Sequence, residues 1–280
     1  MNNDALFTRG QLNVVRLAWM LVTLVLALMT IFPLLWMLSI SFKTQTEVFQ
    51  PHLWPKAPNW NNFIYVLTEA PFAQYLFNSF VVSAAVTVLA LLFHTMAGYA
   101  LARLRFPGRE AVFLAIFSTF LVSLPVIIVP LFIIVRTMGM LNSYAGLIVP
   151  AIFNAFGIFL LRQYYLSLPR ELEEAAIVDG ASYWRIYWSV VLPLSRPIIA
   201  ALAILFFLAN WNGFLWPLTV ANDRNLWLVQ VGIANFKSQY AASWNYTMAA
   251  STIVALPMLL LFVIFQRQIM DSIKTTGLKG

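Results

Sequence analysis

The sequence predicts an all-α membrane protein. It has six transmembrane helices, both termini in the cytoplasm, and a short cytoplasmic helix–turn–helix loop between helices 4 and 5. Three observations carry this. First, 61% of the 280 residues are hydrophobic and only 10% are charged, with a mean hydropathy of +0.81. A soluble domain of this length needs more charge to keep its surface wet. Second, six runs contain no Asp, Glu, Lys or Arg: 17–42, 70–102, 111–135, 137–161, 197–222 and 238–266. Each is longer than the roughly 18–20 residues that cross a bilayer core as a helix. No alternation of polarity marks a β-barrel, and a bilayer leaves a helix as the way to satisfy each run's amides. Third, the cations are unevenly shared between the two sides that six crossings define. One side holds both termini. It carries Arg9, Arg16, Arg103, Arg105, Arg109, Arg162, Arg170, Arg185, Arg196, Arg267, Lys274 and Lys279. The other carries Lys43, Lys56, Arg136, Arg224 and Lys237. The positive-inside rule puts the richer side in the cytoplasm. This bias accounts for the net charge of +7, with no need for a nucleic-acid partner.

Taken in order, the first run follows Arg9 and Arg16. It is too long for a secretory apolar region, and no convincing small-residue cleavage site follows, so it is expected to be retained. Residues 43–69, with "PHLWPKAPNWNNF", form an external stretch rich in turns. The second run holds His94, the ionisable group nearest the middle of any run. A lone buried His fits a packed, satisfied residue better than a proton relay. Pro33, Pro125, Pro130, Pro150, Pro217 and Pro257 fall in the other five runs, where kinks are tolerated if neighbours re-satisfy the backbone. Residues 223–237 make a short external excursion, with Trp227 and Phe236 suited to a membrane interface. Residues 1–280 are read as one transmembrane domain, with 162–196 as a cytoplasmic loop inside it. The absence of cysteine excludes disulfides and thiolate metal sites.

The loop is polar where its flanks are apolar. Pro169 is expected in the first turn of a helix, where its missing N–H costs little. Glu171, Glu173 and Glu174 follow near the positive end of the dipole. Leu172, Ala175, Ala176 and Asp179 recur at i, i+3, i+4 and i+7, so Leu172 and the alanines share one face. Gly180 can close the helix in a left-handed conformation, and Ser182 can cap a second short helix. That helix carries Tyr183, Trp184, Ile186, Tyr187 and Trp188, with Pro193 and Pro197 closing the unit. On residues alone two readings stand: aromatics resting at headgroup level, or a docking element for a soluble partner.

The fifth run contains "NWNGFLWPL", with Asn210, Trp211, Asn212, Gly213 and Trp216. Asparagine in hydrocarbon needs partners, so these positions face the bundle interior or a watery path. Indole faces also suit sugar C–H surfaces. A substrate pathway and plain helix packing both fit, with Pro217 as a kink.

At the loop, "EAAIVDGASYWRIYWSVVLP" resembles the EAA loop of ATP-binding-cassette importer permeases. Glu174, Ala175, Ala176, Gly180, Val190, Leu192 and Pro193 match without a gap. "LPRELEEAAIVDGAS", "NWNGFLWPL" and the final "GLKG" resemble the carbohydrate-uptake branch, including the smaller permease subunit of maltose-type systems. The resemblance implies that the loop helix docks on a separate ATPase. Glu174 would make a polar contact, Ala175 and Ala176 would allow close approach, and Gly180 would make the turn. Glu171, Asp179, Ala181, Leu192 and Pro193 belong to the same coupling element.

The implied partners are two ATPase subunits, a second homologous permease and an extracytoplasmic solute-binding protein, in a bacterial inner membrane. ATP and Mg would be held by the ATPases. The chain has no phosphate-cradling G-x-x-x-x-G-K-[ST] and no convergent acid, base and nucleophile set. No catalytic, cofactor or metal residue is therefore expected on it. Glycerol phosphate, an amino acid or a peptide are the alternative cargos. An ion-coupled carrier is disfavoured, because no run holds a carboxylate.

Overall fold

The computed structural model describes residues 9–239 and 243–277. Among them every regular element is helical. In chain order these are α1 (Arg9–Ser41), α2 (Asn61–Thr68), α3 (Phe72–Arg103), α4 (Arg109–Ser118), α5 (Leu124–Thr137), α6 (Tyr144–Ile152) and α7 (Ala155–Ser167). There follow α8 (Glu171–Val178), α9 (Tyr183–Ile186), α10 (Leu192–Leu194), α11 (Arg196–Trp211), α12 (Leu215–Val220), α13 (Val229–Gln239) and α14 (Trp244–Gly277). By length and composition, α1 from Arg16, α3, and α14 up to Gln266 can each cross a membrane. Three bent pairs bring the number to six if each is one span: α4 with α5 at 106°, α6 with α7 at 40°, and α9–α10 with α11 at 76°.

Breaks within the runs correct the expectation of continuous helices over 111–135, 137–161 and 197–222. The first breaks where Val122 and Ser123 are extended and Pro125 enters the first turn of α5. The second run does not begin as a helix. Gly139 and Asn142 have φ of +69° and +50°, and the Asn142 Oδ1 accepts from the N–H groups of Asn222 and Asp223 at 2.7 and 3.1 Å. The third is interrupted between Trp211 and Leu215. There Asn210 and Asn212 turn their amides back onto Phe206 O and Leu208 O, at 2.8 and 3.0 Å. Asn side chains that bond local carbonyls compete with the helix they sit in.

The chain divides into two compact units. One comprises residues up to Ala70 with Phe236–Ile253. Within it Asn62 is a hub. Its Nδ2 donates to Ser41 O and Lys43 O, both at 2.8 Å, and its Oδ1 accepts from Asn245 Nδ2 at 2.9 Å. Tyr65 and Tyr246 stack at 4.5 Å. The buried Lys43 gives its Nζ to His52 O and lies 5.3 Å from the Trp36 ring.

The other unit comprises Pro71–Asn235 and the chain from Val254. Its centre is α3, against which α6, α7 and α11 pack. The approach is close because the residues are small. A Cβ on Gly98 would lie 2.9 Å from Leu161 Cβ, and one on Gly157 would lie 2.5 Å from both His94 Nδ1 and Phe206 Cζ. His94 is fully buried, meets Phe206 edge-on, and accepts from Asn154 N–H at 3.2 Å through Nε2. It is built into the packing of α3 on α7. Farther along, Arg162 on α7 donates to both oxygens of Glu110, at 2.7 and 2.9 Å, and its guanidinium lies 3.9 Å from the Phe113 ring. This pair ties the start of α4 to α7.

Candidate functional site

Residues 168–195 form a compact loop between α7 and α11. Pro169 is not inside α8 but precedes its N-cap. Arg170 is already helical and its carbonyl accepts from Glu173 N and Glu174 N, both at 3.0 Å. The three glutamates stand in the first turn, where unpaired N–H groups favour anions. The helix ends in a two-bond closure. Gly180 N–H reaches Ile177 O at 2.9 Å, Ala181 N–H reaches Ala176 O at 2.9 Å, and Gly180 has φ +77°. This is a Schellman motif, and glycine adopts its left-handed residue without strain. Ser182 Oγ then accepts from Arg185 N at 3.3 Å and starts α9. A π-helical turn, Tyr187–Val191, leads into α10 and Pro193.

The loop has an inner and an outer face. Facing in, Ala176, Ala181 and Leu192 pack against a core that includes Tyr99, Tyr165, Ile186, Tyr187 and Val191. Tyr187 shares a 2.8 Å hydroxyl contact with Thr95 and lies 5.5 Å from the Tyr99 ring. Glu173 Oε1 sits 2.9 Å from Arg103 Nε at the end of α3, and both side chains are nearly covered. Burial pushes the Glu173 carboxyl above its ordinary range, with Arg103 and Arg170 pulling the other way. Facing out are Glu171, Leu172, Glu174, Ala175, Val178, Asp179 and Gly180. The sequence put Leu172, Ala175 and Ala176 on one face, with Asp179 in the same helical register. The structure separates them, because Ala176 packs on its own chain while the other three remain exposed. Sequence reasoning also missed Arg103, whose partner lies far along the chain, with no local pattern to mark it.

The second candidate set is dispersed. Trp211 is buried, stacks on Phe207 at 5.7 Å, and its Nε1–H has no acceptor among the described residues. Trp216 is buried and donates to Gly146 O at 3.0 Å. Asn212 is exposed and accepts from Gln230 Nε2 at 3.3 Å. Asn210, Gly213 and Trp216 line a mainly apolar cavity of about 200 Å³ with Val82, Leu147 and Leu228. That is smaller than the ~300–1,000 Å³ common for small-molecule sites. No cluster of metal-binding side chains occurs among the described residues.

The chain thus joins apolar helices able to cross a membrane to a polar loop that packs on the chain at one face and is exposed at the other. Residues 94–274 match the family described as binding-protein-dependent transport system inner membrane component, and the chain belongs to that family. Its similar relatives include the arabinooligosaccharides transport system permease protein AraQ of Bacillus subtilis. That protein is 32% identical, over 96% of this chain and 98% of the relative. The diacetylchitobiose uptake system permease protein NgcG of Streptomyces coelicolor is 34% identical, over 88% and 83%. The sn-glycerol-3-phosphate transport system permease protein UgpE of Yersinia enterocolitica is 36% identical, over 86% and 89%. In fold, the chain is similar to one in the crystal structure of a bacterial ABC transporter involved in the import of the acidic polysaccharide alginate. The TM-score is 0.83 at 23% identity, covering 93% of this chain and 98% of that one.

Proposed function

We propose that this chain is a permease subunit of an ATP-driven importer for a sugar or oligosaccharide, and that α8 is where a separate ATPase subunit pushes. The observation that carries the reading is the two-faced α8. Its inner face is fixed to the chain's own helices, and its outer face presents Glu171, Glu174, Ala175 and Asp179 uncovered. Force transfer needs such an element: stiff, anchored behind and free in front.

On this reading the chain crosses a bacterial inner membrane six times, with both termini and the loop in the cytoplasm. Two ATPase subunits hold ATP and Mg, a second homologous permease completes the pathway, and an external binding protein delivers cargo. Glu174 contacts the ATPase, Ala175 permits close approach, and Gly180, Ala181, Leu192 and Pro193 shape the unit. The relatives named for arabinooligosaccharides and diacetylchitobiose support a carbohydrate cargo. The glycerol-3-phosphate relative favours a second reading, a polyol phosphate. Asn210, Trp211, Asn212 and Trp216 would border the pathway.

The test is ATP hydrolysis by the complex purified through a tag on this chain and reconstituted with a panel of binding proteins loaded with sugars or glycerol 3-phosphate. Stimulation by one loaded protein identifies the cargo class. Glu174→Arg is expected to lose the ATPase during purification. Retained ATPase and unchanged uptake in that variant would remove Glu174 from the contact.

A further inference from the structure

Both halves of the loop land on one stripe of one helix. Thr95, Tyr99 and Arg103 follow each other at i, i+4 and i+8 on α3, so they lie along a single face. Thr95 meets the Tyr187 hydroxyl at 2.8 Å, Tyr99 packs on the Tyr187 ring at 5.5 Å, and Arg103 meets Glu173 at 2.9 Å. The Arg103 Nη2 also donates to Leu168 O at 2.6 Å. One guanidinium thus holds the end of α7 and the first turn of α8 together.

The helices joined to the loop through the chain are poor levers. α7 meets α6 at a 40° bend, and α11 meets α9–α10 at 76°. By contrast, α3 runs 32 residues without an internal proline. The Arg103 and Glu173 side chains are 5% and 13% exposed, and the facing Nε and Oε1 make no hydrogen bond, so they meet as opposite charges. A buried pair of this kind gains little over apolar packing, yet removing one partner is costly, so it fixes geometry more than it adds stability.

We propose that Arg103 and Glu173 are positioning residues that lock α8 to the end of α3, so that motion imposed on α8 is delivered along α3. The inference rests on the reading of α8 as the ATPase contact, and it names the route the movement takes from there. Arg103 and Glu173 touch neither cargo nor nucleotide on this account. They act by keeping α8 and α3 in register.

The test uses the whole complex in proteoliposomes, with the cargo identified by the panel above, and reads uptake per ATP hydrolysed. Glu173→Gln and Arg103→Gln are expected to retain the ATPase and hydrolyse ATP while uptake per ATP falls about tenfold, within the range of ordinary coupling energies. The exchanged pair, Arg103→Glu with Glu173→Arg, is expected to recover part of the loss, because a carboxylate at 103 forfeits the donation to Leu168 O, whereas a general fault in folding would recover none. Should Arg103→Gln fail to assemble, Glu173→Gln decides alone, since its site lies outside the spans. Wild-type uptake per ATP in Glu173→Gln, or an exchanged pair no better than the single variants, overturns the proposal. If the wild-type chain brings down no ATPase, or Glu174→Arg changes nothing, the underlying reading of α8 fails, and the route falls with it.

Discussion

Two glycines separate backbone strain from crowding. Gly180 has φ +77° and no atom within 4 Å of where a Cβ would stand. Gly180→Ala should therefore cost only the left-handed conformation, about 1 kcal/mol. Gly98 lies in an ordinary helix, but its Cβ would come within 2.9 Å of Leu161 Cβ and 3.2 Å of the Arg162 nitrogen. The obstacle includes backbone, so α3 and α7 must separate, and Gly98→Ala should cost about 2 kcal/mol. Thermal unfolding in detergent measures both, and the order should be Gly98→Ala below Gly180→Ala below wild type. The Gly180 turn is legible in sequence because the residues that make it, Ala176 to Ala181, are contiguous. Arg103 is not legible in the same way. Nothing near it in the chain distinguishes an arginine that snorkels from one that meets Glu173, which is 70 residues away.

At the scale of elements, charge spacing located the apolar runs, because a missing charge is a property of composition. It did not locate the breaks. Pro125, Pro150 and Pro217 are tolerated inside membrane helices, so the residues alone do not decide whether each bends or ends its run. The decision comes from partners elsewhere, such as the N–H groups of residues 222 and 223 that hold the Asn142 side chain. Short elements depend on single hubs in the same way. The α2 helix is eight residues long, and Asn62 supplies three of its bonds to α1, the following turn and α14. Asn62→Ala leaves two carbonyls and one amide without partners and should lower stability by about 3 kcal/mol. Asn62→Asp keeps the acceptor for Asn245 but turns a buried carboxylate oxygen onto both carbonyls, so its melting temperature should fall below that of alanine.

For the whole molecule, Glu173 links acidity to both stability and coupling. Arg103 and Arg170 face it, yet burial dominates and raises its folded pKa above the ordinary 4.5. The folded chain therefore holds this proton more tightly than the unfolded chain, and stability from this group rises as pH falls through the folded value towards 4.5. The ion pair behaves oppositely, since it requires the carboxylate. On acidification, wild type should gain melting temperature relative to Glu173→Gln, while its uptake per ATP sinks towards that of the variant. A parallel fall in both quantities would contradict the assignment. The division into units carries a further consequence, in time. The unit that contains α1 and α2 also needs residues 236–253, and Asn62 meets Asn245 across 183 residues of chain. At roughly 5–20 residues per second, Asn62 waits roughly 10–40 s for that partner to be synthesised. The Arg162 pairing spans only 52 residues, and Glu110 is already made when Arg162 emerges. The first helices to leave the ribosome thus wait for a partner made near the end of the chain.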